Sequence, residues 1–321
     1  MKYYFIVNPN SGKRKKQQRF MEGLKVAAKK LGIEYQVYCT TGVGDGARYT
    51  EEVCRQSAGA EGKGSEKLRI YACGGDGTIN EVVNGAFGFS HVEVGAVPLG
   101  TGNDFIRNYG TASDFLDMER LLTGRSVSCD LIGYRAEHQD MVTEGYCANM
   151  FNIGIDCNVV DMTSRVKRWP LVGGTLAYMI SVAIILIEKK GADLRILYSD
   201  GTEAGGRILL IAIANGCYCG GGVKGVPYCK LDDGLMDVSV VNDMSRRFFM
   251  ALFPSYSKGV HMEKKQIRDN DVIRYTKEKT LTVIANGESL RLCTDGEITT
   301  QRKVEFWMEP KAFRFIVPGN R

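Results

Sequence analysis

The first 110 residues of the 321-residue chain repeat one pattern: a short strand-like run, a loop of glycine and small polar residues, and a stretch with helical character. Strands that alternate with helices in this way predict a mostly parallel sheet with helices on both faces, which is an α/β domain. The predicted strands are Tyr3–Val7, Glu34–Tyr38, Leu68–Cys73 and Val92–Pro98. The predicted helices run from a cap at Ser11 to about Lys30, over Asp45–Arg55, over Thr78–Ala86, and onward from about Asn103.

After about Cys129 the pattern changes to short runs rich in β-forming residues and punctuated by glycine. Ser199-Asp200-Gly201 and Asn286-Gly287 are signals for hairpin turns. We therefore predict an antiparallel β-sandwich domain. The domains are expected at residues 1–129 and 130–303, and the strand Phe313–Pro318 in residues 304–321 could return to the first of them. The runs are Tyr146–Ile155, Leu194–Tyr198, Arg207–Ala214, Met236–Val241, Thr280–Ala285 and Leu290–Cys293.

Composition narrows the class of protein. The formal net charge of +5 is mild, so binding to nucleic acid is not expected. The apolar run in MKYYFIVNPN is too short for a signal peptide, which predicts a cytoplasmic protein with its ten cysteines mostly reduced. Leu171–Ile187 has 17 residues without a charge, the lower limit for a bilayer span. Because glycine, serine and threonine dilute this segment, we expect a buried or partly lipid-facing helix and not a transmembrane one.

The loop that follows the third strand is built for an anion. Gly74, Gly75 and Gly77 stand between a strand and a helix, where backbone N–H groups and the helix N-terminus bind phosphate. The spacing is neither that of the dinucleotide-binding fingerprint nor that of a P-loop. Asp76 would repel a phosphate unless a metal or a proton lies between them, which favours chemistry on a Mg²⁺-nucleotide. The alternative is a tight turn in which Asp76 caps the helix.

A second glycine turn, PLGTGNDF over Pro98–Phe105, ends the fourth strand. Asn8–Lys13 and Thr40-Thr41-Gly42 end the first and second strands. In a parallel sheet these loops lie at the carboxyl ends of their strands, where ligands bind. The sequence therefore predicts a polar cleft at this edge of the first domain.

In this order, NPNSGK, GGDGTINEVVNG and PLGTGNDF resemble the catalytic domain of the diacylglycerol kinase family, which includes bacterial soluble lipid kinases and the sphingosine and ceramide kinases. GGDGT alone also resembles NAD kinases and phosphofructokinases. The resemblance continues through NMFNIGID at 149–156, GGG at 220–222, DDGL at 232–235, DGE at 295–297 and FRFIVP at 313–318. It therefore covers nearly the whole chain.

The resemblance implies an ATP site, and the expected contacts are Asn8, Thr40, Gly74, Gly75, Asp76, Gly77, Thr78 and Thr101. It also implies that Asp76, Asp104 and Asp130 form an acidic network around a catalytic Mg²⁺. The general base would come from Glu297, Asp295 or Asp76, and the residues leave that choice open. The alternative for residues 295–297 is a plain hairpin turn.

A second, structural Mg²⁺ is implied at Asp233, with the backbone carbonyls of Lys230 and Leu235. The alternative there is an Asx turn before a strand. The basic cluster Lys13–Lys16 is either a solvated helix face or a contact for phosphate and anionic lipid headgroups.

By this resemblance the chain is expected to transfer the γ-phosphate of ATP to a lipid hydroxyl, most readily that of diacylglycerol, giving phosphatidic acid. It would act as a peripheral protein at the inner face of the membrane, and a homodimer is compatible with the resemblance. Two alternatives remain open: an NAD kinase-like enzyme, and a nucleotide- or lipid-binding protein without turnover.

Overall fold

The computed structural model of the chain describes residues 1–58, 66–154, 191–265, 267 and 272–319, without the side chain of Arg246. The predicted helix at Leu171–Ile187 lies outside these residues. Two compact units are present. The first unit is Met1–Asp130 with Lys311–Arg321, and the second unit is Leu131–Pro310. The sequence placed its boundaries at residues 129 and 303. Within the described residues, no helix is long and apolar enough to cross a membrane.

The first unit contains the expected parallel sheet. Strand β1 pairs with β2 on one side and β3 on the other, and β4 lies beside β3, all in parallel register. The last residues of β15 extend this sheet at the far edge of β4, where Arg314 pairs with Glu93. The strands are β1 (Lys2–Val7), β2 (Tyr35–Cys39), β3 (Leu68–Gly74), β4 (Val92–Pro98) and β15 (Lys303–Val317).

Helices follow the first three strands, but two details differ from the sequence prediction. Lys13, not Ser11, is the N-cap residue of the first helix, and no side chain caps it. Instead of a long helix near Asn103, the chain forms a 3-10 turn at Phe105–Asn108, because Gly110 and the capping box at Thr111 start a new helix. The helices are α1 (Arg14–Leu31), α2 (Asp45–Ser57), α3 (Asp76–Ala86), α4 (Ala112–Leu116) and α5 (Met118–Leu122).

The central strands of this sheet are buried. Phe5 on β1 stacks on Tyr71 of β3, with ring centroids 4.7 Å apart, and both side chains are fully buried. Continuous burial on both faces is typical of parallel strands covered by helices. This packing holds the carboxyl ends of β1, β3 and β4 in fixed positions, and the polar loops start there.

The second unit is antiparallel, as expected. Its strands pair in the order β14-β13-β7-β9-β8-β12-β15, and β10 pairs with β9 and β11. A helix, α6 (Arg246–Ser257), follows β10. The strands are β5 (Arg125–His138, starting in the first unit), β6 (Met141–Cys147), β7 (Met150–Gly154), β8 (Ala192–Tyr198), β9 (Glu203–Ala214), β10 (Met236–Asn242), β11 (Ile273–Glu278), β12 (Thr280–Ala285), β13 (Leu290–Thr294) and β14 (Glu297–Gln301).

The predicted turns had mixed outcomes. Asp200-Gly201 joins the antiparallel pair β8 and β9, as predicted. Asn286-Gly287 does not form a hairpin, because β12 pairs with β8 and β15 while β13 pairs with β7 and β14. The tight hairpin of this region is at Asp295-Gly296, where both residues have positive φ, 46° and 96°. Two central residues with positive φ are the requirement of a type I′ turn.

Candidate active site

Three loops meet at the carboxyl edge of the parallel sheet in the first unit. A Cβ placed on Gly12 would overlap the carbonyl oxygen of Leu99, and a Cβ on Gly100 would lie 2.6 Å from the Cα of Gly75. The backbone N–H groups of Leu99 and Gly100 also donate to the carbonyl of Gly74, each at 2.9 Å. The loops after β1, β3 and β4 therefore touch one another directly.

The glycines of the GGDG loop have different roles. A Cβ on Gly74 would overlap the buried side chain of Thr78, so glycine is required there by packing within the loop. Gly77 is exposed, and a Cβ at that position would meet nothing within 4 Å. Open space beside the N-terminus of α3 is where an anion could approach the backbone. Gly77, not Gly74, is thus the glycine positioned to face a ligand.

Asp76 is the first residue of α3, and its carboxylate is held from the neighbouring loop. Its Oδ1 accepts hydrogen bonds from the backbone N–H groups of Asp104 at 2.7 Å and Phe105 at 3.0 Å. Burial raises the pKa of the Asp76 carboxyl above its usual value, and these hydrogen bonds oppose the shift. The other oxygen, Oδ2, lies 3.0 Å from the Cβ position of Gly102.

Asp104 converges on the same point. Its Oδ2 lies 3.4 Å from that Cβ position of Gly102, so oxygens of two carboxylates approach one place. Asp104 is buried, and Arg107 lies 3.3 Å from its Oδ1. Beside them, Asn103 takes a left-handed conformation with φ of 52° and donates to the carbonyl of Gly100 at 2.8 Å. The buried Oδ1 of Asn103 has no hydrogen-bond partner among the described residues.

This donor set fits a Mg²⁺ ion. Mg²⁺ is usually held by one or two carboxylates, with phosphate oxygens and waters completing its shell. Asp76 and Asp104 supply the two carboxylates, and the unsatisfied oxygen of Asn103 supplies a further acceptor in the same loop. Among the described residues, no group of three or more His, Cys, Asp or Glu side chains forms a closed metal cage.

The predicted contacts Asn8, Thr40 and Thr101 lie on the loops at this edge. The side chain of Asn8 accepts from the N–H of Asn10 at 2.9 Å, and the N–H of Thr40 donates to the carbonyl of Val7 at 2.9 Å. Thr101 is exposed at the tip of its loop. These hydrogen bonds fix the backbone of the loops that follow β1 and β2, and the side chain of Thr101 remains exposed at the edge of the sheet.

Glu81 is a residue whose role the sequence reasoning missed. Its two carboxylate oxygens accept from the N–H groups of Gly44 and Gly46, each at 2.9 Å. Asp45 between them accepts from the N–H of Thr41 at 2.8 Å. Glu81, on α3, thereby fixes the loop that follows β2. A carboxylate five residues after Asp76, in the first turns of the same helix, was the available signal.

Asp130 has a backbone partner that the sequence did not predict. Asp130 is fully buried on β5, and its Oδ1 accepts from the backbone N–H of Lys311 at 2.6 Å. Lys311 has a positive φ of 53°. The carboxylate therefore stabilises a bend in β15 where the chain enters the first unit.

Asp295 and Glu297 lie in the second unit, at the β13–β14 hairpin. Asp295 occupies the turn, and its Oδ2 accepts from the buried thiol of Cys147 at 3.3 Å. Burial, followed by the charge of Asp295, raises the pKa of the Cys147 thiol well above its usual value, so the thiol stays protonated and donates. Glu297, the first residue of β14, is exposed. The hairpin turn that was the alternative is present, and it presents Glu297 at its end.

The place predicted for a structural Mg²⁺ contains an ammonium group. Asp233 Oδ1 accepts from the N–H of Leu235 at 3.1 Å, which is the Asx turn considered as the alternative. Its Oδ2 lies 2.7 Å from Lys277 Nζ, which also lies 3.2 Å from the buried Asp237. Lys277 therefore places a single positive charge between the two carboxylates, beside the carboxylate that the sequence assigned to Mg²⁺. Lys230 is exposed and Leu235 half-buried, and only Leu235 touches Asp233 in the described contacts.

Two family models match the two halves of the chain. The family described as "Diacylglycerol kinase catalytic domain" matches residues 2–133, and the one described as "YegS C-terminal NAD kinase beta sandwich-like domain" matches residues 149–317. A diacylglycerol kinase of Staphylococcus aureus is 28% identical over 295 residues, which is 91% of this chain and 84% of that protein. A diacylglycerol kinase of Staphylococcus carnosus is 28% identical over 304 residues, 94% of this chain and 90% of that one.

The fold is also similar to that in a crystal structure of a diacylglycerol kinase from Bacillus anthracis. That structure is 19% identical in sequence, with a TM-score of 0.67 over 98% of this chain and 96% of the other. The predicted combination of a parallel α/β domain and a β-sandwich domain is confirmed. The chain belongs to the diacylglycerol kinase catalytic-domain family, a family of lipid kinases.

Proposed function

We propose that this kinase transfers the γ-phosphate of ATP to the free hydroxyl of diacylglycerol and produces phosphatidic acid. The observation that carries the proposal is the convergence of Asp76 and Asp104 beside the open N-terminus of α3, where three strand-end loops touch. Phosphoryl transfer needs positioned phosphates and neutralised charge more than it needs covalent chemistry. In this proposal the open N-terminus of α3 would position the phosphates, and a Mg²⁺ ion held by Asp76 and Asp104 would neutralise their charge.

In this proposal the backbone around Gly75 and Gly77 binds the phosphates of ATP, and Thr40 and Thr101 line the loops beside them. Asp76 and Asp104 would hold Mg²⁺, which when bound would neutralise charge on the transferring phosphoryl group. Glu81 keeps the loop after β2 in position, and Asn8 orders the loop after β1. Asp130 accepts a hydrogen bond from the backbone N–H of Lys311 and so fixes the bend of β15.

We assign the general base to Glu297. The Oδ1 atom of Asp76 already accepts two backbone hydrogen bonds, and Asp295 is tied to the thiol of Cys147 in a tight turn. Glu297 is an exposed carboxylate at a strand start, and a carboxylate of this kind can accept a hydroxyl proton. Diacylglycerol as the acceptor is supported by two relatives named diacylglycerol kinase, each 28% identical to this chain.

The test is transfer of labelled γ-phosphate from Mg-ATP to a panel of lipids in mixed micelles, with NAD in a parallel reaction. The panel contains diacylglycerol, monoacylglycerol, a sphingoid base and a polyprenol. The proposal expects labelled phosphatidic acid, and expects its loss in Asp76→Asn and Glu297→Gln. Label on another lipid would correct the substrate and keep the class. Label on NAD alone would refute the proposal.

A further inference from the structure

Helix α6 in the second unit has one face that packs and one that does not. Phe249, Leu252 and Tyr256 are buried against an apolar cluster that includes Leu209 and Val241. The hydroxyl of Ser245 caps the helix by accepting from the N–H of Phe248 at 3.2 Å. The inner face therefore fixes the orientation of the helix, and with it which residues lie on the outer face.

The outer face is apolar in the middle and basic at both ends. Its exposed residues recur at the i, i+3, i+4, i+7 spacing of one helix side. Met250 is 62% exposed, and Val260 just beyond the helix is 41% exposed. No Asp or Glu occurs from residue 244 to residue 262. The face consists of Arg247, Met250, Ala251, Pro254 and Lys258, all exposed.

An ordinary surface helix has polar and charged residues of both signs on its solvent side. The absence of acids on this face and the exposed Met250 are instead typical of helices that lie at a membrane interface. In such helices the apolar residues enter the headgroup region, and Lys and Arg extend toward anionic lipids. Asp243 and Glu263 lie only at the borders of the segment.

The charges also argue against a second copy of the chain as the occupant. If two α6 helices packed antiparallel across a two-fold axis, Arg247 of one copy would face Lys258 of the other. Like charges placed opposite each other in an interface are unfavourable. An anionic lipid surface is complementary to the same pair of residues and leaves Met250 and Pro254 in contact with apolar material.

We propose that the outer face of α6 is a docking surface for anionic phospholipid membranes, with Met250 at its centre and Arg247 and Lys258 as its headgroup contacts. Docking in this proposal requires only the residues of α6. The idea that it brings the kinase to its lipid substrate rests on the function proposed above. Docking and catalysis are therefore measured separately.

The experiment is co-sedimentation of the full chain with vesicles of phosphatidylcholine alone, or of phosphatidylcholine with phosphatidylglycerol, in the absence of ATP and diacylglycerol. The wild type is expected to bind the anionic vesicles. Each cation near such a surface contributes about a five-fold factor in affinity, so Arg247→Gln with Lys258→Gln is expected to weaken binding about 30-fold. Met250→Asp should weaken it as well, because a charge then enters the apolar centre.

The matched control is Arg207→Gln with Lys279→Gln, which removes two exposed positive charges elsewhere in the second unit. It is expected to bind like the wild type, and Met141→Asp, at another exposed methionine, likewise. Circular dichroism and the unfolding temperature check that all variants are folded. The proposal is overturned if the wild type does not bind anionic vesicles, or if the α6 variants and the control variants lose binding equally. It is also overturned if Met250→Asp instead turns a dimer into a monomer.

Kinase activity in detergent micelles separates the two proposals. The α6 variants should keep their turnover there, since micelles deliver the lipid without a charged bilayer. Vesicle binding that depends on α6, without any phosphorylated lipid, would refute the proposed function and leave the docking surface intact.

Discussion

The carboxylate of Asp76 is hydrogen-bonded to the backbone N–H of Asp104 at 2.7 Å, across two loops that are 28 residues apart in the sequence. This bond joins the GGDG and PLGTGNDF motifs into one structure. It also explains why an aspartate can stand inside an anion-binding turn. Part of its charge is satisfied by the neighbouring loop, and its second oxygen points to the place where Asp104 also arrives.

Replacement of Asp76 by asparagine should separate charge from structure. The amide oxygen can still accept from Asp104 and Phe105, so the unfolding free energy should change by less than about 1 kcal/mol. Loss of the charge should lower kcat at least about 100-fold. Asp200→Asn is the matched control, since Asp200 also accepts from a backbone N–H, at 2.8 Å, in a turn. Equal activity of the two variants would contradict the role of Asp76.

The two glycines at positions 74 and 77 should respond oppositely to alanine. At Gly74 the new Cβ would overlap Thr78, and we expect a loss of about 1–3 kcal/mol in the unfolding free energy. At Gly77 the Cβ would lie in open space inside α3, and alanine should stabilise by up to about 1 kcal/mol. Urea unfolding measures both. A raised KM for ATP in the stable Gly77→Ala variant would show that phosphate approaches this residue, and equal destabilisation of both variants would contradict the described geometry.

Because Lys277 occupies the place beside Asp233, the thermal stability of the second unit should not depend on divalent ions. In Lys277→Met the buried Asp237 would keep only its hydrogen bond from the Tyr275 hydroxyl, at 2.8 Å, among the described contacts. We expect the free energy of unfolding to fall by about 2 kcal/mol. The Tm of Lys277→Met should then rise with added Mg²⁺, whereas the parent protein should not respond. Both are compared in the Asp76→Asn background, which removes one of the two carboxylates proposed to hold Mg²⁺ in the first unit. A parent Tm that rises with Mg²⁺ would show that a metal competes with Lys277.

Because of His261, the free energy of unfolding should decrease as the pH falls below about 6.5. It is fully buried beside Tyr256, and burial lowers its pKa from 6.5 to about 4. Between these values the unfolded chain binds a proton that the folded chain does not, so stability decreases as pH falls through this window. From about pH 7 to about pH 4.5 the wild type should lose about 2 kcal/mol more than His261→Phe. Chemical unfolding at both pH values measures this difference, and identical losses would contradict it.

Much of the first unit was predictable because its signals are local. Apolar runs followed by glycine turns mark where each strand ends, and parallel pairing then brings the loops to one edge without knowledge of any tertiary contact. The predicted start of α1 was wrong because Ser11 does not cap the helix. The predicted helix near Asn103 was wrong because the chain forms only a 3-10 turn there, and a new helix begins after Gly110 and Thr111. Both errors concern helix ends, where one side-chain contact decides the boundary.

The contacts of the site carboxylates could not be predicted, since they depend on partners distant in sequence. Asp130 bonds to Lys311, 181 residues away, and Asp233 bonds to Lys277, 44 residues away. The role of Glu81 was hidden for the same reason, because its partners Gly44 and Gly46 follow a different strand. The Asn286-Gly287 signal was wrong for a hairpin, because the strands on either side of it pair with other strands and not with each other.

The most direct test of the proposed activity is the labelled γ-phosphate transfer from Mg-ATP to diacylglycerol in mixed micelles, with wild type and Asp76→Asn side by side. We expect labelled phosphatidic acid with the wild type and at least about 100-fold less with the variant. Equal label from both proteins would contradict it, because the convergence of Asp76 and Asp104 would then have no part in phosphoryl transfer.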